Sequence, residues 1–163
     1  MKKGLFLDLS QISANKPIEV KDSHKDGIVQ VTEGLFVSGV KSANNLGVLR
    51  RKGIDLIVNL VSRFQENEFP EEFEYLSYDL RDSAYSDIIA ELHELADKLN
   101  DRIQRGDKVL VHCKKGISRS PSVAIAYLIK HKGMDFDSAL ALLQAKSERV
   151  FPNAGFLIQL KTL

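Results

Sequence analysis

Two segments of the chain, Asp55-Leu56-Ile57-Val58-Asn59-Leu60-Val61 and Lys108-Val109-Leu110-Val111, are apolar almost without alternation. A strand that shows one face to water alternates polar and apolar residues, so an unbroken run belongs in a sheet covered on both faces. Covering both faces takes helices, and the residues between the two runs supply one. From Asp87 to Arg105, the residues Ile88, Leu92, Leu95, Ala96, Leu99 and Ile103 form a single stripe at helical spacing that stops at Gly106. Further strands are expected at 35–39 and 73–80. Further helices are expected at 42–52, at 121–132, from 135 or 137 to 147, and from about 153. Strands separated by helices imply an α/β fold whose central, mostly parallel sheet is flanked by helices. Residues up to about Asp26 are polar and lack periodicity, so 1–27 is read as an N-terminal arm and 28–163 as one domain.

Composition excludes several classes of function. A length of 163 residues fits one compact domain, and 44% hydrophobic with 28% charged residues is ordinary for a globular protein. A formal net charge of +1 argues against a dominant nucleic-acid surface. The single cysteine forbids an internal disulfide and leads to the expectation of a reducing compartment, the cytosol or the nucleus. The opening Met1-Lys2-Lys3-Gly4-Leu5-Phe6-Leu7 starts like a secretion signal, but Asp8 interrupts it before it reaches signal length. No stretch is long enough to span a bilayer, so no membrane span is expected. One cysteine and scattered histidines, with no partner pattern for His24, His93 or His131, argue against a zinc site. No metal or cofactor is expected.

The run His112-Cys113-Lys114-Lys115-Gly116-Ile117-Ser118-Arg119-Ser120 follows the second apolar segment and precedes a helix, with Ser120 read as its cap and Pro121 as its first residue. A loop compressed between those elements turns backbone N–H groups inward, and the helix adds the positive end of its dipole. The resulting cavity suits a dianionic phosphate. A lone cysteine is more often a small buried hydrophobe. Such a residue has no need of Gly three positions on or of Arg six positions on. A cation at a helix start is itself misplaced unless it meets an anion. Cys113 is therefore read as a nucleophile at the base of a phosphate cradle, with Arg119 at its rim.

The pattern His-Cys-x-x-Gly-x-x-Arg-Ser resembles the active-site loop of the cysteine-dependent protein tyrosine phosphatase superfamily, and its surroundings are similar to the small dual-specificity phosphatases. A four-residue constellation of this kind is expected by chance in roughly one chain of this length in several thousand, given average residue frequencies. A bare Cys-x5-Arg is weaker, since rhodanese-like domains and arsenate reductases carry it too. Gly34-Leu35-Phe36-Val37-Ser38-Gly39, Ala43-Asn44 and Gly53-Ile54-Asp55-Leu56-Ile57-Val58-Asn59-Leu60 are similar to the opening of such a domain. Phe151-Pro152-Asn153-Ala154-Gly155-Phe156-Leu157-Ile158-Gln159-Leu160 resembles its closing helix, beyond which relatives often continue. The resemblance covers about residue 28 to the end.

That resemblance implies a tyrosine-phosphatase-like fold and hydrolysis of phosphotyrosine and phosphoserine or phosphothreonine monoesters in proteins through a phosphocysteine. It assigns attack to Cys113 and a clamp on two phosphate oxygens to Arg119. Phosphate binding falls to the backbone of Lys114, Lys115, Gly116, Ile117, Ser118 and Arg119. Ser120 would stabilise the departing thiolate, its other reading being a plain helix cap. Asp79, Asp82 and Asp87 are candidates for the proton donor, and by residue type alone each is an ordinary solvated carboxylate. The family pattern matches Asp82, leaving Asp79 within a strand and Asp87 as a helix cap. His112 would tune the thiolate indirectly, or be a neutral structural residue. Asn59 would brace the cradle, or simply satisfy a turn. Lys114 and Lys115 raise an alternative substrate, a phosphoinositide or another phosphate monoester, unless they are merely solvated charges. A phospho-dependent binding module with weak activity is the third reading, and the intact Cys113, Arg119 and Asp82 argue against it. The expected partners are phosphorylated proteins, with no nucleic acid.

Overall fold

An alternation hidden inside the apolar runs decides the layers. The computed structural model describes residues 25–163, and at its centre lie two parallel strands, β3 (Leu56–Asn59) and β5 (Val109–His112). β2 (Leu35–Ser38) pairs in parallel with β5, and β4 (Glu74–Ser77) in parallel with β3. β1 (Val29–Gln30) closes the edge antiparallel to β2, so the order is β1-β2-β5-β3-β4. Leu35, Val37, Leu56, Val58, Val109 and Val111 project to one face, and Phe36, Ile57 and Leu110 to the other; all are buried.

The first face is covered by α3 (Ile89–Gln104) and α4 (Arg119–Lys132), with α5 (Phe136–Lys146) and α6 (Ala154–Leu160) packed against α4. The second face meets α1 (Val40–Ala43) and α2 (Leu46–Arg51) through Ala43, Val48 and Leu49. Each fully buried Leu or Ile contributes about 1.5–3 kcal/mol, which an exposed sheet face would forfeit. The chain leaves β2 toward the second face and leaves β5 toward the first. The carboxyl ends of these neighbouring strands therefore part, and a crevice opens where ligands bind in sheets of this kind. The Cys113 loop stands in that crevice.

Several expected boundaries shift for local reasons. The helix expected over 42–52 is two helices, because Asn45 accepts a hydrogen bond from the Val48 N–H (3.2 Å) and so caps α2 as a new start. The strands expected over 55–61 and 73–80 are shorter, Leu56–Asn59 and Glu74–Ser77. Asp79 accordingly lies past the end of β4, in an isolated bridge to Val61. α3 begins at Ile89 with Ile88 at the cap position, so Asp87 precedes the cap and accepts from the Ile89 N–H at 3.2 Å. α4 begins at Arg119, and Ser118 rather than Ser120 occupies the cap position. Pro121 is tolerated as its third residue because the first turn has no use for that N–H. The edge strand β1 went unforeseen, since two residues carry no readable period. Of the N-terminal arm expected over 1–27, residues 1–24 lie outside the described residues.

Leu110, in β5, is fully buried on the two-helix face. Leu110→Ala is expected to cost about 2–5 kcal/mol. Urea denaturation should show a lower midpoint with an unchanged slope.

Candidate active site

Cys113 continues β5 for one residue, its N–H donating to the Ser38 carbonyl (3.2 Å), and it is 2% exposed. The loop that follows is tied outward by its carbonyls. The Lys114 carbonyl accepts from the Val40 N–H (3.0 Å), the Ile117 carbonyl from the Phe151 N–H (2.8 Å), and the Ser118 carbonyl from the Ser122 N–H (3.0 Å). Peptide planes pinned in this way leave their amides over. The N–H groups of Lys114, Lys115, Ile117, Ser118 and Arg119 meet no protein acceptor among the described residues. Unpaired amides next to a helix start are the arrangement that an anion completes.

Gly116 permits the turn. Its φ is +71°, and a Cβ there would stand 2.8 Å from the Gly39 nitrogen and 2.9 Å from the Ser38 carbonyl carbon. Only glycine tolerates both the left-handed backbone and the backbone-to-backbone approach. Its N–H donates to Cys113 Sγ at 3.2 Å.

Ser120 Oγ is the second group on the sulfur, also at 3.2 Å, and it lies 3.2 Å from the Ser38 carbonyl. One hydroxyl proton serves two acceptors. With a thiol, the S–H donates to Oγ and the hydroxyl donates to Ser38; with a thiolate, the hydroxyl turns to the sulfur.

Arg119 donates from Nη1 to the Leu80 carbonyl (3.1 Å), which joins the cradle to the segment carrying Asp82. Its Nε is buried without a partner. A buried guanidinium N–H left unpaired is costly unless a ligand accepts from it, and the planar fork suits two oxygens of a phosphate.

Asp82 is the one carboxylate of the three candidates that reaches this place. It lines a cavity of about 380 Å³ with Cys113, Lys114, Lys115, Ile117, Ser118 and Arg119. Two larger cavities adjoin it. One of about 460 Å³ is walled by Val40, Val61 and the exposed Phe64 and shares Lys114 and Arg119. The other, of about 550 Å³, brings Lys25, Lys41 and Arg149 beside Lys114 and Lys115. Neither holds the thiol, so the chemistry belongs to the smallest of the three.

The two supporting residues lie outside the cradle. Asn59 does not touch the cradle. Its Oδ1 accepts from the Val61 N–H (2.9 Å), and its Nδ2 donates to the Gln65 carbonyl (2.8 Å) and Asn67 Oδ1 (3.0 Å). It therefore satisfies the turn after β3. His112 Nδ1 lies 3.4 Å from the Cys113 carbonyl oxygen, a contact to backbone and not to sulfur. Burial holds its pKa below the ordinary 6.5. His131, without an evident partner in the sequence, stands 2.8 Å from Asp97. Among the described residues no cluster of His, Cys, Asp and Glu could hold a metal ion, and no helix is long and apolar enough to cross a membrane.

Val40, Leu80, Phe151 and Asn153 also shape the site, and the sequence reading did not single them out for that. The first three act through backbone groups, which side-chain identity does not report. Asn153 is visible in the sequence only as a helix start.

Comparison with known proteins places these residues in context. The model of the dual specificity phosphatase catalytic domain matches residues 35–163. The chain is 30% identical over 155 residues to dual specificity protein phosphatase 1B of Arabidopsis thaliana, covering 95% of this chain and 92% of that one. It is 38% identical over 135 residues to MAP kinase phosphatase with leucine-rich repeats protein 3 of Dictyostelium discoideum, covering 80% of this chain but 15% of that protein. Among solved structures, the human tyrosine phosphatase-like serine/threonine/tyrosine-interacting protein superposes with a TM-score of 0.77 at 33% identity, covering 83% of this chain and 93% of that one.

The lowered pKa of His112 has a consequence for stability. As pH falls, the unfolded chain takes up the proton first. The contribution is complete above about 6.5 and is lost as pH falls below it toward the folded value. Thermal unfolding at pH 7.5 and 5.5 should therefore show a smaller acid loss of stability in His112→Gln than in the parent.

Proposed function

The chain belongs to the dual specificity phosphatase family of cysteine-dependent protein phosphatases, and from that premise we propose how its own residues remove phosphate from tyrosine and from serine or threonine in proteins. The observation that carries the reading is the meeting of a buried thiol, an unpaired guanidinium nitrogen and a carboxylate at one cavity lined by unpaired amides. No other group of described residues offers a nucleophile, an anion site and a proton donor together.

In the first step Cys113 Sγ, as the thiolate, attacks phosphorus. The S–P bond forms as the bond to the leaving oxygen breaks, and that oxygen takes the proton of Asp82. Arg119 donates from Nε and Nη2 to two equatorial oxygens, while the amides of 114, 115 and 117–119 hold the remaining charge. In the second step a water oxygen attacks phosphorus and gives its proton to Asp82. The S–P bond breaks, inorganic phosphate forms, and the electron pair returns to sulfur. Gly116 N–H and Ser120 O–H receive that negative charge, which makes the sulfur a better leaving group. His112 meets the nucleophile only through the Cys113 carbonyl.

Phosphorylated proteins are the substrate class that the family implies. The comparisons do not favour the phosphoinositide alternative. Lys114 and Lys115 are exposed at the rim and serve as solvated charges that attract an anionic substrate. The cytosol or nucleus is the compartment we assign, because a single reduced cysteine is the nucleophile.

Phosphate release from a phosphotyrosine peptide, a phosphothreonine peptide and a soluble phosphoinositide tests the reading. Both peptides should be hydrolysed, and Cys113→Ser should abolish turnover. Asp82→Asn should lower kcat by roughly 10²–10⁴. Arg119→Ala should lower it by about 10²–10³, with little recovery in Arg119→Lys, since a point charge does not replace the fork. Preference for the inositide, or peptide binding with no turnover by the parent, would overturn the assignment.

A further inference from the structure

The carboxylate of Asp82 has one hydrogen-bond partner among the described residues, and it comes from the far end of the chain. Asn153 Nδ2 donates to Asp82 Oδ1 at 2.9 Å. The same residue is tied in two other directions. Its Oδ1 accepts from the Phe156 N–H (2.9 Å), which caps α6, and its own backbone N–H donates to Ser118 Oγ (3.0 Å) in the phosphate loop. The orientation of the side-chain amide is fixed by these partners. Turned over, it would set NH₂ against the Phe156 N–H and oxygen against a carboxylate.

We propose that Asn153 is the positioning residue of the proton donor, one that selects which oxygen of Asp82 carries the proton and aims it at the leaving group. This rests on the reading of Asp82 as the acid. With an N–H already directed at Oδ1, a proton on that oxygen would face a second donor, so the transferable proton resides on Oδ2. Asp82 is exposed and otherwise untethered, and without this bond its carboxyl would populate several rotamers, most of them unproductive. Because Asn153 also holds Ser118, one residue links the proton donor to the phosphate loop and keeps the two in register.

The segment around Asp82 is built to support such a bond. Gln159 Nε2 donates to the Ser86 carbonyl and Gln159 Oε1 accepts from the Ile88 N–H, both at 2.8 Å. Gly155 lies so close to Ala84 that a Cβ would come 2.0 Å from its carbonyl oxygen. Arg119 holds the Leu80 carbonyl at the other end. Backbone is gripped on both sides of Asp82, and Asn153 alone grips the carboxylate.

The role has a signature distinct from loss of structure. Asn153→Ser retains a capping oxygen for α6 and the backbone bond to Ser118, but its hydroxyl is one atom shorter than the amide and falls short of Asp82; Asn153→Ala loses the cap as well. Steady-state kinetics on aryl phosphates should be compared from an activated nitrophenyl ester to an unactivated phenyl ester, in the parent, Asn153→Ser, Asp82→Asn and the double variant. A good leaving group needs no proton. Asn153→Ser should therefore slow the unactivated ester about tenfold and the activated ester less than threefold, with KM little changed. In the Asp82→Asn background the same substitution should add nothing. Equal loss on both esters, or full loss added to Asp82→Asn, would overturn the proposal, as would an Asp82→Asn variant that handles both esters like the parent. A parent inactive on every ester would instead remove the phosphatase reading itself, which separates the two failures.

Discussion

The contact on which the site depends is the one between the turn after β2 and the turn after β5. There the Val40 N–H donates to the Lys114 carbonyl at 3.0 Å, while Gly116 presses against Ser38 and Gly39 closely enough to exclude any Cβ. A peptide unit has two polar ends, and securing one of them decides where the other points. Drawing the loop carbonyls toward Val40, Phe151 and Ser122 leaves the amides for the cavity. The charge field is thus made by backbone geometry before any side chain is considered. Arg119 then adds a buried, unpaired Nε to a site already short of an anion.

The same logic organises the acid side. Asp82 stands on a loop joining β4 to α3, far in sequence from Cys113, and it is brought to the cavity by groups from two other places. Arg119 reaches back to Leu80, and α6 supplies Asn153, Gly155 and Gln159. Helix α6 is therefore more than packing behind α4. Although Phe156 and Leu160 anchor it in the core, its half-buried residues shape the loop that carries Asp82.

Where the sequence reading succeeded, the signal was local and periodic. The stripe of Leu92, Leu95, Ala96 and Leu99 is the buried face of α3, with Ile88 buried at its cap, and the two apolar runs are the paired central strands β3 and β5. Cys113, Gly116 and Arg119 were legible because their spacing is meaningful within nine residues. Where it failed, the deciding contact was short-range but of the wrong kind, or long-range. Asn45 broke one helix into two by a single capping bond, and Ser120 gave up the cap position to face Cys113 and Ser38. Asn59 belonged to its own turn, which depends on Gln65 and Asn67 folding back to it.

The sequence by itself determined the layered α/β class and pointed to the cysteine, the guanidinium and the glycine that lets the loop close, since each rests on residue type at fixed separation. It also narrowed the acid to three aspartates. The family resemblance singled out Asp82 among them, and the tertiary structure places that one at the cavity; only the structure revealed Val40, Phe151 and Asn153 as parts of the site. The physical reason is that these residues act through backbone groups or single hydrogen bonds spanning from 34 to more than 70 positions. Such bonds carry no periodicity and leave no compositional trace. They exist because the sheet order β2-β5-β3 brings separate loops to one crevice, a fact that belongs to the fold.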